Sequence, residues 1–220
     1  MTSQRLFVSR RLAVTTFHSR SLHKEPKSFF DVLLSPKRFS PKLPFDHIVQ
    51  IGDPVLRAKT QEVNLDRLAS PQIKFLLRTL KKSLDKYDAV GVSAPQLGVP
   101  LKIFAVQITE RQISGWSPEI IRQRGLVPIP CRFFINPQLK IVNSELVPDR
   151  EGCCSVYGYS GLVSRAREVE VRAFDENGQP VTWVVKDWTA RVVQHEMDHL
   201  KGSFFPKTRP DGNQCFIGKQ

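Results

Sequence analysis

An α+β fold is predicted, with mixed, mainly antiparallel β-sheets packed around a central H-E-x-x-H helix and one further amphipathic helix nearer the N-terminus. Three observations predict it. Residues 70–87 repeat apolar side chains at helical spacing. Residues 167–185 alternate in polarity and turn back on themselves. "DWTARVVQHEMDHLKG" sets two histidines on the apolar stripe of a second helix.

The elements follow in chain order. In "SPQIKFLLRTLKKSLDKY", Ser70 suits an N-cap and Pro71 the first helical position. Ile73, Leu76, Leu77, Leu80, Leu84 and Tyr87 form the buried stripe, with lysines and an arginine opposite. "LKIFAVQI" and "RFFINPQLKIV" read as strands, and Pro137 demotes part of the second to an edge or bend. Residues 109–131 hold two glycines and three prolines and read as a long excursion with a short helix at "SPEIIRQ". "REVEVRAFD", an Asn177-Gly178 turn and "VTWVV" make a hairpin. In the last helix Asp187 is the expected N-cap and Gly202 the terminator. Trp188, Val192, His195 and His199 fall at i, i+4, i+7 and i+11, so both imidazoles share one face.

The chain has 220 residues and a net charge of +12. Residues 1–43 carry nine Lys/Arg against Glu25 and Asp31, so they supply seven of those positive charges. The rest is mildly basic and has no run that argues for nucleic acid. The first 24 residues contain no acid, four Arg and seven Ser/Thr, the composition of an organelle transit peptide, which favours mitochondrial targeting over a basic tail on a cytosolic protein. The expected organisation is a leader and linker over 1–43, a catalytic domain over 44–206 and an irregular tail over 207–220. No apolar run reaches the about 20 residues of a membrane span, so no membrane is expected. Cys131, Cys153, Cys154 and Cys215 suggest reduced thiols rather than a disulfide framework.

The chemistry sits in two segments. His195 and His199, one helical turn apart, can share a metal ion, which makes the central helix metal-binding. Glu196, at the edge of that face, can reach a water as general base without itself being a ligand. Two histidines need a third protein ligand. The metzincin pattern has no third histidine here, and Asp211 is the only later acid. The cysteines of "EGCCS", Glu151 to Ser155, are the better donors, because a thiolate binds divalent iron or zinc tightly.

With "AVGVSAPQ" (89–96) added, "EGCCS" and "QHEMDHL" (194–200) stand in the order of the three motifs of peptide deformylases, and the chain resembles that family over roughly 45–206. "SAPQLGVP" and the long 109–131 segment are most similar to the animal mitochondrial branch. "IVQIGDPVLRAKTQEV" resembles the family's N-terminal strand. The resemblance implies that Cys153, His195 and His199 hold one Fe(II) or Zn(II). It implies that Glu196 is the general base and that Gln96 and the backbone N–H of Cys154 receive the oxyanion. Gly91 would admit the substrate backbone and Glu151 would border the methionine pocket. Val90, Trp188 and Val192 would wall that pocket, although core packing accounts for them as well. Arg165 would pair with Asp198 or Glu151. The implied reaction removes the formyl group from N-formylmethionyl nascent chains in the mitochondrial matrix, with transient ribosome contact and no specific nucleic acid.

The chain departs from the pattern at Ala89, Ser93 and Cys154, the last in place of leucine. Strand alternation expects Cys153 and Cys154 to face opposite ways, leaving Cys154 an oxidisable thiol. A zincin-type endopeptidase and a deformylase-like binding protein are the competing readings.

Overall fold

The computed structural model describes residues 43–203 and the backbone of 218–219. The expected leader over 1–43, Leu43 apart, and most of the tail over 207–220 lie outside the described residues. All described residues belong to one unit, Pro36–Gln220.

Helix α1 (Pro71–Tyr87) begins as its sequence requires. Ser70 Oγ accepts the Ile73 amide at 3.4 Å, and Pro71 sits in the first turn. Ile73, Leu76, Leu77, Leu80 and Leu84 are buried. Tyr87 is half exposed, its hydroxyl accepting the Ile48 amide at 3.3 Å. The segment expected as an N-terminal strand is irregular instead. Asp53 and Pro54 start a 3-10 turn over Pro54–Arg57, and Gln61 makes only an isolated bridge to Leu101.

Strands β1 (Gly91–Ser93), β2 (Ile103–Ile108), β3 (Ile129–Gly152), β4 (Tyr159–Phe174) and β5 (Pro180–Lys186) form one antiparallel sheet in chain order. A short β6 (Gly218–Lys219) pairs with the start of β4. β3 is far longer than the expected 132–142. Its first part pairs with β2 and the remainder with β4. The handover falls at a register shift between Ile135 and Gln138, where Asn136 has φ 52° and Pro137 lacks a donor. Residues 109–128 hold two short helices rather than one. α2 (Glu110–Ser114) is opened by a reciprocal Thr109–Gln112 cap, and α3 (Pro118–Arg124) by Ser117.

Helix α4 (Asp187–Leu200) lies on the sheet. Val193, Met197 and Leu200 pack with Phe104, Phe134, Val169 and Val171. Gln194 fixes its height, since its amide oxygen accepts Ala166 N at 3.1 Å and its nitrogen donates to Ala166 O at 2.8 Å. Asp187 is not the side-chain cap expected. It has φ 54°, and its carboxylate faces Arg167 at 3.4 Å.

Gly202 ends α4 as expected. At φ +65°, it donates to His199 O at 3.0 Å while Ser203 N donates to Asp198 O at 2.8 Å. A Cβ there would lie 2.9 Å from the Arg57 carbonyl oxygen. Gly202→Ala should therefore lower unfolding free energy by at least about 1–2 kcal/mol in a urea titration. An unchanged midpoint contradicts this account of the helix end.

Candidate active site

β3 ends at Gly152, and residues 153–158 turn back into β4. Cys153 and Cys154 therefore lie in a turn, and strand alternation does not separate them. Local packing separates them instead. Cys153 sits against Val49, Leu56 and Val156, and its carbonyl accepts the Val156 amide at 2.9 Å. Its Sγ lies 3.3 Å from His199 Nε2. One donor atom from each of Cys153, His195 and His199 falls within 4.8 Å of the others, the one such metal-capable group among the described residues. The two imidazoles stand edge to face with centroids 5.0 Å apart. A thiol with two imidazoles suits a borderline divalent ion, so the donor set fits the metal that the motifs imply.

Glu151 organises this triangle from beneath. Its Oε1 accepts Arg165 Nε and Arg191 Nη1, each at 2.8 Å. Its Oε2 accepts Arg165 Nη2 at 2.9 Å and lies 3.0 Å from His195 Nδ1. His195 is bonded to Cys153 as well, so it stands between the Glu151 carboxylate and the thiol, as a histidine ligand oriented by a carboxylate would. Arg165 pairs with Asp198 as well as Glu151, its Nη1 lying 2.6 Å from Asp198 Oδ2. Arg191 also donates to Val147 O at 2.6 Å and Val163 O at 2.7 Å, tying α4 to both long strands. Burial pushes the Glu151 carboxyl up, but its bonds to Arg165 and His195 outweigh burial and hold it at about 2. Burial also opposes charge on His195, yet its bonds to Cys153 and Glu151 keep its pKa well above the ordinary value. His199 is pushed well below that value by burial and by the charges of His195 and Arg165. Glu151 lines the cavity, and its carboxylate is engaged by His195, Arg165 and Arg191.

Glu196 is 2% exposed, and its Oε2 has no hydrogen-bond partner among the described residues. Burial, reinforced by the charge of Glu151 and opposed by His195 and Arg165, pushes its carboxyl up to about 7. Gly91 has a reason the sequence did not reveal: a Cβ there would meet the Glu196 carboxylate, 2.9 Å from Cδ. Gln96 sits in a 3-10 turn after β1, and its Oε1 accepts Ser93 N at 2.9 Å and Ser93 Oγ at 3.1 Å. Those bonds aim Nε2 at Ser155 Oγ, 3.2 Å away, and Cys153 Sγ, 3.7 Å away. The Cys154 thiol is pushed up to about 12, chiefly by burial and then by the charges of Cys153 and Glu196, which keeps it protonated at neutral pH. The Cys154 carbonyl is held by Gln50 Nε2 at 2.9 Å.

Gly91, Gln96, Glu151, Cys153, Cys154, His195 and Glu196 line a cavity of about 380 Å³, whose apolar wall includes Val90, Trp188 and Val192. Arg191, Ser93, Ser155 and Gln50 were missed in the sequence. Arg191 had a signal, since it stands four residues before His195 on the buried side of the helix. Ser93 had one too, since Ser93-x-x-Gln96 is a capping-box spacing, whereas Ser155 and Gln50 act through tertiary contacts that no local pattern announces. A carboxyl held at about 2 against an ordinary 4.5 stabilises the fold fully above about pH 4.5, and this stabilisation is lost as pH falls toward 2. Metal-free Glu151→Gln should therefore be less stable than the parent at pH 7 by about 3–5 kcal/mol. Denaturant titrations across pH should show the gap closing below 4.5, and a gap independent of pH contradicts the network.

The family profile described as Polypeptide deformylase matches residues 45–213. The chain is 40% identical over 165 residues to human "Peptide deformylase, mitochondrial", covering 75% of this chain and 68% of that protein. It is 35% identical over 158 residues to tomato "Peptide deformylase 1A, chloroplastic", covering 72% of this chain and 57% of that protein. A Met-Ala-Ser-bound class I type b peptide deformylase from Acinetobacter baumannii superposes with TM-score 0.63 at 27% identity, covering 72% of this chain and 94% of that one. An actinonin complex of the Synechococcus elongatus enzyme gives 0.59 at 29% identity, covering 72% and 75%. With the motif residues gathered at one cavity, these matches establish that the chain belongs to the polypeptide deformylase family.

Proposed function

We propose that the chain hydrolyses the formyl group from N-formylmethionyl nascent chains of mitochondrial translation, releasing formate and a free N-terminal methionine. The observation that carries this reading is the Cys153–His195–His199 triangle with the buried Glu196 carboxylate beside it. Cys153, His195 and His199 would hold Fe(II) or Zn(II), which when bound would supply Lewis acidity for the hydrolysis.

The remaining steps belong to side chains. Glu196 takes a proton from water and returns it to the departing amine. A carboxyl near 7 suits both transfers at neutral pH. The Gln96 amide, steered by Ser93, and the backbone N–H of Cys154, on the turn braced by Gln50, donate to the oxyanion. Val90, Trp188 and Val192 enclose the methionine side chain. Gly91 makes room for Glu196 and keeps the loop edge open to the peptide backbone. Glu151 holds His195 in its ligating tautomer.

The mitochondrial reading is supported by the acid-free basic leader composition and by the mitochondrial relative. Matrix location and transient ribosome contact follow from the source of formylated chains. The basic leader, the 44–206 catalytic domain and the irregular tail remain part of this reading.

Anaerobically prepared protein should release formate from formyl-Met peptides. Glu196→Gln should retain the metal and lose about 10²-fold or more in kcat. Full activity in that variant contradicts the assigned base. Cys154→Leu should bind metal like the parent by elemental analysis, whereas Cys153→Ala should not. The reverse pattern would show that the wrong cysteine was chosen.

A further inference from the structure

Arg124 links the 109–128 segment to Trp188, which lines the active-site cavity. Arg124, the last residue of α3, has its guanidinium carbon 5.0 Å from the Trp116 ring centroid and 4.7 Å from that of Trp188. Its Nη2 also pairs with Asp149 Oδ1 at 2.9 Å. Both partners of that pair are only 25% exposed, unlike Arg111 of the same segment and its partner Asp88, at 72% and 53%. A planar guanidinium can stack on two rings and bond a carboxylate edge-on at once, which an ammonium cannot. Asp149 reaches toward the cavity floor as well, because its carbonyl lies 3.4 Å from Arg191 Nη1.

Trp188 is shared by three cavities, two of them mainly apolar. One face lines the active-site cavity of about 380 Å³. The indole also lines a second cavity of about 100 Å³, walled by Ile108, Ile113, Trp116 and Leu126, and Val90 is likewise shared by both. The second cavity has room for roughly three water-sized groups and is almost wholly apolar.

We propose that Arg124 is a specificity-determining positioning residue: stacked between Trp116 and Trp188, it holds the Trp188 indole as a partition that limits the first side chain of the substrate. With the partition fixed, the pocket ends at Trp188. With it released, the apolar space behind becomes continuous with the pocket, and a side chain bulkier than methionine gains room. Arg124 touches no reacting atom and acts only through Trp188. The inference rests on the deformylase reading for its substrate class.

The test compares formyl-Met and formyl-Phe tripeptides with the metal-loaded parent, Arg124→Met and Arg124→Lys. Arg124→Met should raise KM for the formyl-Met peptide with kcat little changed. It should also move the kcat/KM ratio of formyl-Phe over formyl-Met upward by about tenfold, the scale of a small volume change in an apolar pocket. Arg124→Lys, which keeps charge but not the planar stack, should behave like Arg124→Met. A substitution that merely loosens the fold lowers both substrates together, so an unchanged ratio overturns the proposal. Parental behaviour of Arg124→Lys overturns the stacking role. If the parent releases formate from neither peptide, the functional reading fails separately. Acrylamide quenching of tryptophan fluorescence then decides the partition: increased quenching in Arg124→Met supports it, and unchanged quenching overturns it.

Discussion

The site depends on one buried carboxylate. Glu151 on β3 receives Arg165 from β4, and Arg191 and His195 from α4, so three elements meet at two oxygen atoms. Burying these charges is costly unless each is paired and bonded. Here Glu151 and Asp198 balance Arg165 and Arg191, and backbone carbonyls of β3 and β4 accept further bonds from the Arg191 guanidinium. Two residues beyond Glu151, the chain reaches Cys153. The group that orients His195 therefore also sets where the thiol arrives, and segments more than forty residues apart become one donor triangle.

Much of this was legible in the sequence because it is local. Helical spacing put His195 and His199 on one face, and the caps at Ser70 and Gly202 bounded their helices. The ordered motifs selected Cys153 without knowledge of the turn. What escaped depends on tertiary partners. The outer half of β3 exposes Ile141, Val142 and Leu146, so its side chains carry no clean alternation, and pairing with β4 is what makes it a strand. Asp187 looked like a cap, but Arg167 across the sheet draws its carboxylate away. Gly91 looked like an accommodation for substrate, yet the nearest claim on its missing Cβ is Glu196.

Cys154, the departure from the family pattern, has a modest physical consequence. Burial keeps its thiol protonated, and Gln50 grips its carbonyl, so the turn's backbone is held independently of the side chain. The 109–128 segment, read from sequence as a surface excursion, reaches inward through Arg124 and borders the substrate cavity through Trp188. Both features show chemistry at this site resting on backbone position and packing around the reacting groups.

The central claim is that one thiolate and two imidazoles, aligned by Glu151, hold a divalent ion. X-ray absorption at the metal edge of anaerobically prepared protein tests it most directly. The account predicts one sulfur scatterer, at about 2.3 Å if the ion is zinc, and two imidazole nitrogens at about 2.0–2.1 Å. A shell without sulfur, or with two sulfurs from Cys153 and Cys154 together, would contradict it.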